Sequence, residues 1–193
     1  MTRDQIYSFV FKGFLTKERL GNIGVKQRAI DGFFEEQDIN KMLSLDLLDD
    51  EHLSIAKKMS LVFCAIAAFE NSVRDFVGKK ILEEKGENWW TDAVSEKIRT
   101  KAESRMKEES KINWHTQRFD RPLNYTDFGD MISIIVQNWV LFEPHLISID
   151  WVSSVLKPLE RSRNVIMHSG ELGREDIQRV GSCIRDWIKQ VGI

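Results

Sequence analysis

Residues 160–170 read Glu-Arg-Ser-Arg-Asn-Val-Ile-Met-His-Ser-Gly and place an Arg-Asn pair shortly before a histidine. The arginine, Arg163, keeps its charge at any working pH and can hold a phosphodiester through two parallel hydrogen bonds. The histidine, His168, belongs to the residue type that exchanges protons near neutrality. These two groups suffice for cleavage of RNA by its own 2′-hydroxyl, without a metal ion. The chance expectation of this three-residue pattern in such a chain is roughly 0.01, so the pattern is moderately specific.

The spacing of the motif constrains how it can work. On an ideal helix, Arg163 and His168 lie about 140° apart, so we expect the helix to end or loosen before the histidine. Ser169-Gly170 favours such an end. Cleavage needs a deprotonated 2′-oxygen, neutralised phosphoryl oxygens and a protonated 5′-oxygen as leaving group. Because one histidine cannot easily make both proton transfers, we predict a homodimer that brings a second copy of the motif opposite the first.

The motif resembles the C-terminal part of HEPN domains, above all the RNA-cleaving branches that carry an Arg-Asn form of it. The likeness continues through Gly170, Leu172 and residues 174–180, and more weakly through residues 122–130 and the helix that carries Glu70. It therefore covers about residues 50–193. The resemblance implies a small antiparallel helical bundle, dimerisation and, in many members, RNA cleavage at a site shared by two subunits. Several other members are non-catalytic binding modules.

One branch of HEPN toxins carries a tyrosine two positions after the histidine, and this tyrosine receives a silencing modification. In the present chain that position is Gly170. The resemblance to that branch is therefore poor.

The candidate catalytic residues are Arg163, as the electrostatic clamp on the phosphate, and His168, as general base or acid. Asn164 is expected to orient the histidine or bind a phosphate oxygen. Glu70 and Asn71 are two polar residues at the end of an apolar run. We expect them to hold the Arg163 side chain in place without contacting the RNA themselves. Four further residues are predicted to bind RNA, the last of them by stacking on a base: Arg161, Arg118, Arg121 and Trp114.

These residues also have plainer interpretations. Arg163 can pair with Glu160 or Glu171 on the surface. His168 can cap a helix C-terminus, where a cation is favoured by about 1 kcal/mol at most. Glu70 stands four residues before an arginine, which is the spacing of an ordinary helical ion pair.

Composition limits the class of protein. A formal net charge of −2 and a pI near 6.1 exclude binding of nucleic acid through an overall positive field, so an RNA site must be a local basic cleft. Cys64 and Cys183 each fall in an apolar pattern, which predicts two reduced core thiols rather than a disulfide. His115 and His145 have no cysteine or carboxylate at metal-ligand spacing, so we predict neither a metal site nor a cofactor.

The sequence also predicts where the chain resides. The longest apolar run, residues 59–69, is too short to span a bilayer, and the N-terminus has no apolar signal core behind a basic start. We therefore expect a cytoplasmic protein without membrane contact.

Helical periodicity runs through nearly the whole chain, and no segment alternates as a half-buried strand does, so the predicted fold class is all-α. We predict a short N-terminal helical extension, residues 1–48, with helices near residues 6–15 and 33–48. A HEPN-like helical domain follows, residues 49–193. Its run 59–69 is apolar almost all the way round and predicts the buried axis of the bundle.

The motif helix is predicted to start at a capping Asp150, to kink at Pro158 and to end at Gly170. A charged helix is expected to run from Trp89 to about Ser110, and the last helix over residues 174–191.

The chemistry of the motif thus predicts a metal-independent endoribonuclease that leaves 2′,3′-cyclic phosphate and 5′-hydroxyl ends. The resemblance implies a toxin or antiviral role. The alternative is a non-catalytic HEPN dimer that binds RNA or a protein, with residues 1–48 carrying a protein partner or specificity. A third possibility is a purely structural dimerisation protein. Arg163 and His168 are necessary for cleavage but not sufficient, so the sequence leaves these alternatives open.

Overall fold

The structure of the chain, a computed structural model, describes residues 36–118 and 121–192. The chain divides into two compact units, Met1–Asp49 and Asp50–Ile193. Across the described ranges all regular elements are helical, which confirms the all-α prediction. The helix predicted near residues 6–15 lies outside the described residues.

The described part of the first unit holds α1 (Glu36–Met42) and a 3-10 turn (Leu45–Leu47). The single helix predicted up to Leu48 is therefore wrong, because the backbone of Ser44 turns into the left-handed region at φ 51° and ends α1. The role of residues 1–48 as an independent extension stays a prediction.

The second unit contains seven α-helices and one 3-10 turn within the described ranges. They are α2 (Asp50–Lys85), α3 (Trp89–Ala93), α4 (Glu96–Ser110), the turn Pro122–Tyr125, α5 (Phe128–Gln137), α6 (Trp139–Phe142), α7 (Ile149–Met167) and α8 (Arg174–Val191). The motif helix α7 packs against α2, α5 and α8. The middle of α2 meets the last turns of α7, while the start of α2 meets the loop that follows α7. The two helices therefore run antiparallel.

The core is richest in aromatic rings where α2 meets α7 and α8. Trp187 is fully buried and stacks on Trp151 with ring centroids 5.7 Å apart. Phe69 and Phe76 each present an edge to Trp187 at 6.0 Å. Burying each of these rings stabilises the fold by about 2–3 kcal/mol, so the core fixes α7 against α2.

The prediction that residues 59–69 form a buried axis is wrong. Only 22% of the most apolar 18-residue window of α2 is buried, and Leu61 is 74% exposed. Met59, Val62, Ile66 and Phe69 face the core, whereas Cys64, Ala65 and Ala68 are exposed. The sequence misleads here because small residues raise the hydropathy all round the helix although only one face is packed.

The length and composition of α2 also pass the test for a membrane span, with a mean hydropathy of 1.4 in that window. The core helix of a soluble protein passes the same test. The absence of membrane contact therefore stays a prediction.

Several local predictions need correction. Cys64 is exposed rather than a core thiol, while Cys183 is buried, and burial raises the pKa of its thiol. The helix predicted from Trp89 to Ser110 is broken, because Val94 takes an extended backbone between α3 and α4. The cap of α7 is Ser148, whose hydroxyl accepts the Trp151 N–H at 3.0 Å, rather than Asp150. Pro158 lies inside α7, which continues to Met167, and the kink predicted there stays a prediction.

Candidate nucleic-acid interface at the end of the motif helix

The last turn of α7 places His168 at the helix terminus. The Ser169 N–H donates to the Ile166 carbonyl at 3.0 Å, and the Gly170 N–H donates to the Val165 carbonyl at 2.8 Å. Ser169 has the left-handed φ of 61° that ends the helix, one residue before the predicted end at Gly170. Gly170 is required for another reason: a Cβ there would lie 2.9 Å from the Val165 carbonyl oxygen.

The loop after His168 is held against the start of α2. Lys58 Nζ lies 2.8 Å from Glu171 Oε1, and the Leu172 N–H points at the Met59 sulfur at 3.3 Å. These contacts fix the backbone on the C-terminal side of His168. The imidazole itself is exposed and makes no hydrogen bond within the described ranges. It is free to meet a ligand.

A buried carboxylate orders Arg163. Glu70, only 4% exposed, has one oxygen 3.4 Å from Arg163 Nε and pairs through the other with Arg74. Arg74 also donates to Asn71 Oδ1 and to the Thr126 carbonyl, each at 2.9 Å. Glu70 thus belongs to an ordinary helical ion pair and contacts Arg163 as well. The predicted surface pairing of Arg163 with Glu171 is not formed, because Glu171 contacts Lys58.

The charges around Glu70 do not cancel. Burial lowers the pKa of Arg74, the Glu70 carboxylate opposes this shift, and the charges of Arg163 and Arg118 add to it. Two guanidinium groups on one carboxylate leave an excess of one positive charge. Arg163 remains 32% exposed and so carries this excess where a phosphate can reach it.

On the other side of α7 lies a shallow groove of about 510 Å³. Its lining residues come from that helix and its C-terminal cap: Lys157, Glu160, Arg161, Asn164, Val165 and His168. Three predicted site residues, Arg161, Asn164 and His168, thus share one surface. Lys157 was missed by the sequence analysis, although its eleven-residue spacing before His168, close to three helical turns, is a signal that could have revealed it.

Arg163 does not line this groove. It lies about 130° round an ideal helix from the middle of the groove and contacts α2 instead. Within one chain, therefore, the structure brings Arg163 together with Glu70, and His168 together with Asn164 and Arg161. Asn71 contacts Arg74 instead.

Two of the remaining predicted RNA-binding residues, Arg118 and Arg121, lie on the α2 side. Arg118 stacks over the Tyr125 ring at 5.0 Å and forms a salt bridge with Glu109 at 3.1 Å. Its positive charge also helps to lower the pKa of Arg74. Arg121 lies 3.9 Å from Asp75 on the surface. Trp114 is 86% exposed, with the largest part of its ring available for stacking. Arg118 therefore joins Arg163 and Arg74 rather than Arg161.

Among the described residues, no three His, Cys, Asp or Glu side chains come close enough together to hold a metal ion. Metal independence of any activity stays a prediction.

The helices of the described ranges form an all-α bundle, which is the fold of the HEPN class of domains. The profile of the Swt1-like HEPN family matches residues 65–192, from the middle of α2 to the end of α8. The chain belongs to the Swt1-like HEPN family. Neither a comparison with curated proteins nor one with solved structures found a match. The predicted HEPN resemblance is thus confirmed, while its RNA-cleaving branch stays a prediction.

Proposed function

We propose that this chain is a cytoplasmic, metal-independent endoribonuclease that acts as a homodimer in a toxin or antiviral role. One observation carries the proposal: the buried carboxylate of Glu70 fixes Arg163 while leaving part of its guanidinium exposed. Glu70 thereby holds a second guanidinium besides that of Arg74, and Arg163 is the one that a phosphate can reach. The same helix then ends on an exposed histidine that nothing else within the described ranges engages.

The chemistry follows from these two groups. A His168 imidazole takes the proton of the 2′-hydroxyl, and the 2′-oxygen attacks the adjacent phosphorus. Arg163 neutralises the negative charge that builds on the non-bridging oxygens. As the bond to the 5′-oxygen breaks, an imidazolium protonates that oxygen. The products are a 2′,3′-cyclic phosphate and a 5′-hydroxyl.

The two proton transfers, and the separation of Arg163 from His168 within one chain, support a shared site between two copies. The surface beside the motif suits a second copy. An apolar cavity of about 580 Å³ lies between α2 and the end of α7, with Met59, Phe63 and Met167 in its lining. A second apolar surface lies on the opposite face of α2, where an exposed stripe contains Leu61, Cys64, Ala65 and Ala68. Burying such apolar area would stabilise a dimer.

The test is cleavage of RNA by purified protein in the presence of EDTA. We expect cleavage of RNA but not DNA, with cyclic-phosphate ends detected by mass spectrometry, because DNA lacks the nucleophilic 2′-hydroxyl. His168→Ala and Arg163→Ala should each reduce the rate about 100-fold or more without unfolding the protein. Arg179→Ala, an exposed arginine of α8, is the matched control and should cleave as the wild type does.

A second candidate function is favoured by the same separation of Arg163 from His168. It is a non-catalytic HEPN dimer that binds RNA or a protein, with residues 1–48 contributing to a protein partner. Binding of RNA without cleavage, cleavage that survives His168→Ala, or cleavage that requires a divalent metal would favour this candidate over the nuclease.

A further inference from the structure

The groove on α7 extends well beyond the histidine. Lys157, Arg161, Asn164 and His168 all line it, and on an ideal helix they fall within about 60° of one another. The stripe covers about 16 Å along the axis, with steps of about 6, 4.5 and 6 Å. The side chains of Asn164, Arg161 and Lys157 therefore form a straight row that begins beside His168.

The charge of the groove suits a chain of phosphates. Glu160 also lines it, but its carboxylate accepts the Gly129 N–H at the start of α5 and is half-buried there. Burial raises the pKa of Glu160, and the nearby Asp127 and Asp130 add to this rise. Lys157 and Arg161 are exposed and have no ion pair with any described residue. The surface that a ligand meets is thus positive, on a protein whose net charge is −2.

We infer that the stripe Lys157, Arg161 and Asn164 is a subsite for the sugar-phosphate backbone of single-stranded RNA on one side of the cleaved bond. The stepwise spacing of the side chains is comparable with the repeat of phosphates along an extended strand, and a positive groove is the usual track for such a strand. Lys157 binds the phosphate farthest from the bond that breaks. This inference rests on the proposed function for the position of that bond.

The experiment compares two RNA substrates, the dinucleotide UpU and a U12 oligonucleotide. UpU has a single phosphate and cannot contact both His168 and Lys157. In Lys157→Gln we expect the ratio of the kcat/KM values for U12 and UpU to fall about fivefold, mainly through KM for U12. The dependence of log KM on log salt should lose a slope of about 0.7, the value for one phosphate contact on a single strand.

Lys85→Gln is the matched control. Lys85 is an exposed lysine at the end of α2, about 22 Å along that helix from Glu70, and its removal should leave both the ratio and the slope unchanged. A ratio that is equal in Lys157→Gln and wild type, or an equal loss on both substrates, would overturn the subsite.

A binding measurement separates this inference from the nuclease proposal. Fluorescence anisotropy with a 2′-O-methylated U12, which lacks the nucleophile, should show binding about fivefold weaker for Lys157→Gln than for Lys85→Gln. If that difference appears while the wild type cleaves no RNA, the nuclease proposal fails and the RNA subsite stands. If the wild type cleaves RNA but the two variants bind alike, the subsite alone is overturned.

Discussion

Glu70 is the residue on which the arrangement of the candidate site depends most. It is a buried carboxylate with a guanidinium group on each oxygen, Arg74 and Arg163. Removing its charge would leave two like charges facing each other across a desolvated position, which costs far more than the loss of a surface pair. The contribution of Glu70 is therefore both structural and, through Arg163, functional.

We expect Glu70→Gln to destabilise the fold by about 3 kcal/mol and to reduce RNA cleavage less than Arg163→Ala does. The loss should appear in kcat, because the exposed guanidinium can still bind phosphate but is no longer held in place. Urea unfolding and single-turnover kinetics measure the two effects. The control is Glu83→Gln, which removes a surface partner of Lys79 and Lys80 and should change neither. Full activity in Glu70→Gln would contradict a positioning role.

For single residues, the sequence indicated which side chains belong to the candidate site but not which partners they contact. A polar pair emerging from an apolar helix was enough to point to Glu70 and Asn71. The bond from Arg74 to the Thr126 carbonyl was not predictable, since it joins residues 52 positions apart. Lys157 was missed because a single lysine indicates a binding site only once the open groove beside His168 is known.

The start of α5 shows how one helix terminus is fixed beside the site. Asp127 caps the helix and forms a reciprocal capping box with Asp130. Lys101 of α4 lies 2.8 Å from Asp127 and 2.9 Å from Asp130. Burial of the Asp127 carboxylate raises its pKa. The hydrogen bonds from Lys101 and Asp130 outweigh burial and lower the pKa from an ordinary 3.8 to about 2. The two salt bridges from Lys101 hold α4 against the start of α5, the helix that packs on α7.

This shift makes a prediction about acid stability. The folded pKa of Asp127 lies below its unfolded value, so its contribution is complete above pH 4 and is lost as the pH falls towards 2. This contribution of Asp127 to the free energy of unfolding is about 2 kcal/mol. Asp127→Asn keeps the cap but cannot ionise, so the stability difference between the two proteins should vanish as the pH is lowered from 6 to 2. Thermal unfolding across that range measures it, and a constant difference would contradict the assignment.

Element boundaries followed the sequence where a local signal was strong and failed where packing decided. The final helix, predicted over residues 174–191, was predicted correctly. Ser148 rather than Asp150 caps α7, because the helix begins two residues earlier than the charge pattern suggested. The exposed side of α2 was invisible to hydropathy, because Ala and Cys score as apolar whether or not anything packs on them.

For the whole molecule, the exposed stripe of α2 leads to a prediction of assembly. We expect a dimer at micromolar concentration by light scattering, and a monomer for Leu61→Lys. Leu61 is 74% exposed in one chain, and a lysine there would place a charge in the apolar contact that we propose between two copies. Leu82→Lys, 47% exposed near the far end of α2, is the control and should remain dimeric. A wild type that stays monomeric at all concentrations would remove the shared site.

One further consequence follows from the close approach at Gly170. The backbone there passes so near the Val165 carbonyl that no side chain fits without rebuilding the turn. A position that cannot carry a side chain cannot carry an attached silencing group either. If this protein is held inactive in the cell, we therefore expect the restraint to act elsewhere than at position 170, for example through a partner that covers His168 and is released on dilution.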